Sequence, residues 1–498
     1  MGTHRETDVL VVGTGFSGLG MAIELKRTGR DFAVLEKAAD VGGTWRDNQY
    51  PGCACDVPSH VYSFSFEQNP DWSRSYAPQP EIWDYLKHVT AKHDLRRHIT
   101  FGAEVSGARW DAERRVWHVS TTSGDTWTAR SVVAGVGALH LPSVPTLPGV
   151  ERFRGETFHS ARWNHDYDLR GKRVAVVGTG ASAVQFVPRI APEVARLTVF
   201  QRTPPWIIPK GDRAVRPWRQ RLFRTVPGVQ RVFRSALYWA LESRAIAFTG
   251  ASRLMRVAQK HAERHIHAQV RDPEIRRKLT PDYAMGCKRI LISNDYYPTF
   301  NRDDVDLVTD GIAEVREHSI VDSAGVEHEV DAIVYGTGFQ VIEAYDHLDF
   351  TGRDGRNIAR EWKERGAETY YGITVSGYPN LYFLLGPNTG LGHNSVVFMI
   401  ESQVRYVSQC LDLLDEHHAD EIEVRADVQE RFNRDLQSKL RRGVWSEGGC
   451  VSWYLDERGV NRTVWPGFAF RYWMRTRRVD PSAYVLSARR GRDRVPAA

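Results

Sequence analysis

Two glycine clusters have the residue types and spacing to hold a pyrophosphate. The first, Gly13-Thr-Gly15-Phe16-Ser17-Gly18, follows the apolar residues 9–12, and Glu36 stands 18 residues beyond its last glycine, closing a second apolar run. Glycines permit a tight strand-to-helix turn and close backbone approach to phosphate, and the unpaired amides of the following helix favour the anion. An acid at the spacing of Glu36 accepts hydrogen bonds from a ribose. The second cluster, Gly178-Thr179-Gly180-Ala181-Ser182-Ala183, follows residues 174–177. Alanine is tolerable at its third glycine position, because that glycine chiefly lets helix and strand pack closely. The next apolar run ends in Gln201-Arg202-Thr203 instead of an acid. A guanidinium pairs with a ribose 2′-phosphate that a carboxylate would repel, so this site is expected to prefer NADP(H) to NAD(H). Two dinucleotide sites in one chain imply a flavin and a nicotinamide, whose rings must meet for hydride transfer. The alternatives are a merely tight turn at the first cluster and a surface role for Arg202.

Strands must deliver these turns and helices must leave them. The pattern predicts an α/β fold with two Rossmann-like dinucleotide-binding domains, one for FAD and one for NADP, and a helical insertion in the second. The proline-rich residues 141–149 can continue neither a helix nor a central strand and mark a boundary. The expected division is 1–150 for the first part of the FAD domain, 151–205 for the first part of the NADP domain and 206–282 for the insertion. The second part of the NADP domain then spans 283–338, and the second part of the FAD domain 339–498. Within the insertion Leu222, Phe223, Val226, Val229, Phe233, Leu237 and Leu241 recur at helical spacing among arginines. Such a helix is either a solvated basic face over a core or a membrane-surface segment; interruption by Pro217 and Pro227 favours the first. Further strands are expected at 305–308 and 332–335, a helix at 396–414, and a frayed tail over the last twenty residues.

With 42% hydrophobic and 26% charged residues among 498, the chain has a globular composition that excludes a disordered, fibrous or small disulfide-framed protein. A net charge of +6 could suit nucleic acid, but the basic residues are mostly arginine and scattered, so no such partner is expected. Five cysteines, an odd number, point to a reducing compartment instead of a disulfide framework. The polar N-terminus lacks the core of a signal peptide, and no stretch offers the roughly 18 apolar residues of a membrane span. The expectation is a cytoplasmic monomer or small homo-oligomer without a metal site. His261, His265 and His267 read as a solvated face.

Two longer strings add a family likeness: Gly42-Gly43-Thr44-Trp45-Arg-Asp-Asn-Gln-Tyr50-Pro-Gly-Cys53-Ala-Cys55-Asp56, and Phe153-Arg-Gly-Glu-Thr-Phe-His159-Ser-Ala-Arg-Trp163. Together they resemble the type I Baeyer-Villiger monooxygenases, which are class B flavoprotein monooxygenases. Asn164 stands where that family usually has proline or aspartate, and Gly336 where it has alanine. The likeness continues through Gln201-Arg-Thr, Gly286-Cys-Lys-Arg289, Gly336-Thr-Gly-Phe339 and Ser452-Trp-Tyr454. It implies an FAD-containing, NADPH-dependent enzyme that converts ketones to esters or lactones with O2 through a flavin peroxide, with sulfide oxidation as a side reaction. It also implies roles. Arg289 is the catalytic cation and Asp56 the carboxylate that holds it; Arg202 and Lys288 bind the 2′-phosphate; Trp453 contacts the nicotinamide nucleotide; and His159 is a linker residue that coordinates domain motion. Trp45, Asp56 and Tyr62 match flavin-contacting positions. The other candidate cofactor contacts are Gly13, Gly15, Phe16, Ser17, Gly18, Glu36, Lys37, Gly43, Thr44, Val105, Thr179, Gly180, Ala181, Ser182, Ala183, Gln185 and Thr203.

That chemistry asks for a fixed cation in a dry pocket, because negative charge appears on a peroxide and then on the substrate oxygen. Removing one such donor typically costs about 3–4 kcal/mol, and arginine suits the task because it does not deprotonate. On residue type alone, Arg289 reads first as a helix-end or surface ion pair and Asp56 as a loop cap, and the family likeness reverses that order. Two rival enzymes stay open: a nitrogen- or sulfur-oxygenating flavin monooxygenase, which shares the FxGxxxH part, and an NADPH-flavin disulfide reductase. Against the reductase, Cys53 and Cys55 are one residue apart, a spacing at which a disulfide closes awkwardly.

Overall fold

A computed structural model describes residues 2–248, 252–341, 349–450 and 452–488. Its larger sheet grows from the apolar run of the first glycine cluster. The strand His4–Val12 is flanked in parallel by Phe32–Glu36 and Thr126–Ala134, with Ile99–Phe101 beyond Phe32–Glu36. Val116–Thr121 and Val105–Asp111 continue from Thr126–Ala134 as an antiparallel ribbon. All five residues of Phe32–Glu36 are buried, as expected for a parallel strand covered on both faces. Two later strands, Phe350–Thr351 and Leu381–Phe383, pair with Val105–Asp111 and Thr126–Ala134, so the chain returns to this sheet after building the second one. The helix Val396–Glu416 packs on the fingerprint helix Phe16–Arg27.

The second sheet is wholly parallel, in the order Val305–Val308, Arg196–Phe200, Arg173–Val177, Ala332–Tyr335, Glu156–His159. Between its halves lie the helices Pro217–Thr225, Val229–Glu242, Ala245–Phe248, Ser252–Gln269 and Pro273–Leu279. Pro217 sits in a first turn, where its missing N–H breaks no intrahelical bond, and Pro227 lies in the gap between two helices. Phe223 and Leu241 are buried, whereas Val226 is exposed, so the apolar stripe of this region is shallow. Arg234, itself buried, seats it on the first sheet's loops by donating to the His60 carbonyl at 2.6 Å.

Three expectations need correction. The tail does not fray along its whole length: Tyr484–Ser487 pairs antiparallel with Glu421–Val424, burying Tyr484, while residues 489–498 lie outside the described residues. The cysteines are not all unpaired, because Cys287 and Cys450 form a disulfide; Cys53, Cys55 and Cys410 are buried thiols. His265 is not solvated like His261, since it is half-buried with Nε2 3.0 Å from the Ser293 carbonyl. Among the described residues no helix is long and apolar enough to cross a membrane.

Candidate active site

At the first glycine cluster, Gly13 adopts φ 97°, and a Cβ on Gly18 would stand 1.8 Å from the Gly13 carbonyl oxygen. Nothing larger than glycine fits at either position. The helix Phe16–Arg27 starts at Gly15 with no side-chain cap and no acid in its first turn. Its free amides and positive dipole end are thus open to an anion. Glu36 is buried at the end of its strand, its carboxylate fixed by the Thr14 amide at 3.0 Å, the Ala38 amide at 2.9 Å and the Arg46 guanidinium at 2.9 Å. Gly43 has φ 51°, and a Cβ there would be 3.1 Å from the Gly15 Cα, which brings Gly43 and Thr44 against the fingerprint turn. Trp45 donates from Nε1 to the Tyr62 hydroxyl at 3.1 Å, and the Tyr62 ring meets Phe16 edge-on. Ser17 is buried, Lys37 is exposed just past Glu36, and Val105 opens its strand half-buried. A tight glycine turn, an uncapped helix, a fixed acid and an aromatic wall together fit FAD.

The second cluster repeats the device. Gly178 has φ 99°, and a Cβ there would lie 2.7 Å from the Gly336 carbonyl oxygen. The helix Ala181–Ile190 starts uncapped at Gly180, without an acid in its first turn, and carries Ser182. Ala183 is fully buried, and a Cβ on Gly336 would stand 3.0 Å from its methyl. The two departures noted in the sequence, alanine at 183 and glycine at 336, therefore compensate each other across one contact. Thr179 donates to the Thr203 carbonyl at 3.2 Å. Arg202 is exposed and Lys288 half-buried, with the Lys288 ammonium 5.1 Å from the Tyr283 ring centre. Burial first, then the Arg202 charge, pull Lys288 below the usual lysine range, and Asp282 offsets this only partly. Two cations held close enough to oppose one another's charge fit the dianionic 2′-phosphate of NADP(H).

Asp56 and Arg289 meet between these two units. Leu291–Ile292 pairs in parallel with Ile207–Ile208, carrying Arg289 beside the chain that leaves Thr203. The loop that bears Asp56 is held by Gln185, whose side-chain oxygen accepts from the Tyr50 hydroxyl at 2.9 Å and the Ala54 amide at 3.2 Å, and whose nitrogen donates to the Ala54 carbonyl at 2.9 Å. Gln185 belongs to the second fingerprint helix, so its amide joins one nucleotide unit to the other. Arg289 donates to Asp56 from Nε at 2.9 Å and from Nη2 at 2.7 and 2.8 Å. Its side chain remains 30% exposed and that of Asp56 25%, so the fork is fixed while a face of it stays free. The Asp56 charge outweighs burial and raises the guanidinium above its ordinary value. Tyr454 is buried beside this pair, and burial pushes its phenol up to about 12.

His159 ends the edge strand Glu156–His159, paired with Tyr335 and edge-on to Phe339; its Nδ1 accepts from the Ala161 amide at 3.1 Å. Burial holds His159 down at about 4, so it is neutral at pH 7. Trp453 is 41% exposed and lies over Tyr454 with centroids 4.4 Å apart. Sequence reasoning missed Lys210, whose charge acts on both Asp56 and Cys55 and which burial brings below the usual lysine value. Its one local signal is its place just past the strand Ile207–Ile208.

Residues 6–350 match the family model of flavin-binding monooxygenase-like proteins. A Baeyer-Villiger monooxygenase of Pseudomonas aeruginosa is 53% identical, over 97% of this chain and 92% of that protein. Among solved structures, the closed form of cyclohexanone monooxygenase superposes with a TM-score of 0.88 at 28% identity, covering 98% of this chain and 100% of that one. OTEMO in complex with FAD and NADP superposes with a TM-score of 0.86 at 26% identity, over 97% and 99% of the two chains.

Proposed function

Because this chain belongs to the flavin-binding monooxygenase-like family and is an NADPH-dependent, FAD-containing Baeyer-Villiger monooxygenase, we propose that Arg289 is its catalytic cation and Asp56 the group that aims it. The enzyme converts ketones to esters or lactones. Bound FAD, reduced by NADPH, supplies the oxygen chemistry.

The chain's own residues then have three tasks. Gly13, Gly15 and Gly18, with the free amides of their helix, would hold the flavin's pyrophosphate, while Glu36 receives the ribose and Trp45 and Tyr62 wall the site. Arg202 and Lys288 would bind the 2′-phosphate, and Thr179, Gly180 and Ser182 the pyrophosphate of NADP(H). Arg289 meets the negative charge that grows on the substrate carbonyl oxygen as its carbon is attacked. Its fork needs no reorganisation at that moment, because both Asp56 oxygens already grip it. Asp56 also prevents the guanidinium from turning toward solvent. His159, neutral and closing the edge strand beside Tyr335, is placed to transmit movement along the edge of the second sheet.

The observation that carries this reading is the two-point Arg289–Asp56 pair lying between two glycine cradles. Incubation of the holoenzyme with NADPH, 18O2 and a panel of cyclic, linear and aryl ketones tests it. The expected product is an ester or lactone heavier by one labelled oxygen, lost in Arg289→Ala while NADPH is still consumed. Unchanged ester formation by that variant would overturn the role of Arg289. Label appearing only in sulfoxides or N-oxides would favour the heteroatom-oxygenating reading.

A further inference from the structure

We propose that Cys287 and Cys450 are a reversible thiol-oxidation site that hydrogen peroxide closes and a small dithiol opens, and that its state sets how tightly the Trp453 segment is held over Lys288 and Arg289. The two cysteines are 163 residues apart in the chain and joined in the structure, with Cα atoms 6.1 Å apart. Cys287 directly precedes Lys288 and Arg289, and Cys450 stands three residues before Trp453. The bond therefore ties the stretch carrying two of the site's cations to the segment carrying its exposed tryptophan. This inference rests on the role proposed above for Lys288 and on the nicotinamide contact that the family likeness implies for Trp453.

The contact is built for close approach. A Cβ on Gly448 would lie 2.5 Å from the Cys287 Cβ and 2.8 Å from its sulfur, so only glycine leaves room there. The Ala284 amide donates to the Gly448 carbonyl at 3.1 Å, aligning the two segments beside the bond. Gly286, at φ 94°, turns the chain so that Cys287 faces that neighbour. Cys287 is buried and Cys450 half-buried, so Cys450 is the more accessible residue of the two and the one assigned to meet peroxide first. The three other cysteines are buried thiols, which leaves them poor competitors for oxidation.

The chemistry closes without further reagents. The Cys450 thiolate attacks one oxygen of hydrogen peroxide, the O–O bond breaks, and sulfenic acid and hydroxide form. The Cys287 thiol then attacks the Cys450 sulfur, expelling the sulfenic oxygen, which leaves as water with the thiol's proton. Two thiols lose two electrons, one peroxide gains them, and two waters result. The reverse step is thiol–disulfide exchange, in which a dithiol thiolate attacks the Cys450 sulfur.

The test uses the full-length holoenzyme after peroxide and after dithiothreitol. Maleimide labelling under denaturing conditions should count three thiols in the first sample and five in the second, and peptide mapping should find Cys287 crosslinked to Cys450 only in the first. Hydrogen exchange should then rise on reduction in the residues around 284–289 and 443–454. The KM for NADPH should rise about threefold, with a smaller change in kcat, as expected when the binding-competent arrangement is populated about a third of the time. Cys450→Ser should behave as the reduced enzyme and ignore both reagents; Cys450→Ala serves if the serine variant folds poorly. Five free thiols after peroxide would overturn the proposal, and so would a crosslink whose reduction leaves both exchange and KM unchanged. NADPH consumption without ester, with the crosslink and the exchange response intact, would instead overturn the reading of the reaction.

Discussion

Replacing Arg289 by alanine removes a donor already paired twice to Asp56, so the charge growing on the substrate oxygen meets no cation. Loss of one such preorganised donor costs about 3–4 kcal/mol, which predicts a fall in ester-forming kcat of roughly two to three orders of magnitude. Arg289→Lys should recover little, because a point charge cannot hold both Asp56 oxygens as a fork does. Product analysis against NADPH consumption separates this outcome from a general loss of folding. At Lys288 the expected effect is on binding. A charge-assisted hydrogen bond contributes about 1.5–3 kcal/mol, so Lys288→Ala should raise the KM for NADPH by about ten-fold or more and leave weak NADH use nearly unchanged. Steady-state kinetics with both coenzymes would show it, and an equal rise for both would refute the assignment. The candidacy of Arg202 for the 2′-phosphate is legible in the sequence, because an acid is missing where one is due. The partnership of Asp56 with Arg289 is not, since residues 233 apart in the chain meet only in the folded structure, and only the family likeness points to them.

At the scale of elements, the second fingerprint makes the clearest prediction. A methyl on Gly336 would stand 3.0 Å from the Ala183 methyl, at a junction of strand and helix that is already fully buried. Overpacking of this kind costs typically about 1–3 kcal/mol, so Gly336→Ala should lower the urea midpoint and weaken NADPH binding. Ala183→Gly in the same chain should restore both, and the double-mutant cycle should show strong coupling because the two residues touch. Additive effects would contradict the compensation. The first fingerprint has no such escape: Gly18→Ala would press a methyl against the Gly13 carbonyl and should yield protein without bound flavin absorbance. The strands and glycine turns could be read from the sequence, because buried parallel strands are short apolar runs and glycine is the residue their turns require. The pairing of Phe350–Thr351 and Leu381–Phe383 with the first sheet, and the ordered strand Tyr484–Ser487 in an arginine-rich tail, could not, because strands of two to four residues carry almost no period of their own.

Across the whole molecule, the insertion must stay seated on the first sheet's loops if both cofactor units are to face Asp56 and Arg289. His60 lies in that seam. It is 5% exposed, its ring edge-on to Phe223 at 5.3 Å and to Phe233 at 5.1 Å, while its carbonyl takes the Arg234 hydrogen bond. No local pattern marks this histidine, because the residues its ring and carbonyl touch, Phe223, Phe233 and Arg234, come from more than 160 residues away. Burial, assisted by the Arg219 and Arg234 charges, holds its imidazole down at about 4. The unfolded chain takes up a proton near pH 6.5 and the folded chain only near 4, so the contribution is complete above about pH 6.5 and is lost as the pH falls toward 4. At pH 5 the difference amounts to about 2 kcal/mol. His60→Phe keeps the aromatic contacts and removes the titration. Its unfolding free energy from urea titration should match the parent's at pH 8 to within about 1.5 kcal/mol and exceed it at pH 5. Equal acid sensitivity in parent and variant would mean that the seam tolerates the imidazolium, and that the insertion's seat depends on Arg234 and the apolar contacts alone.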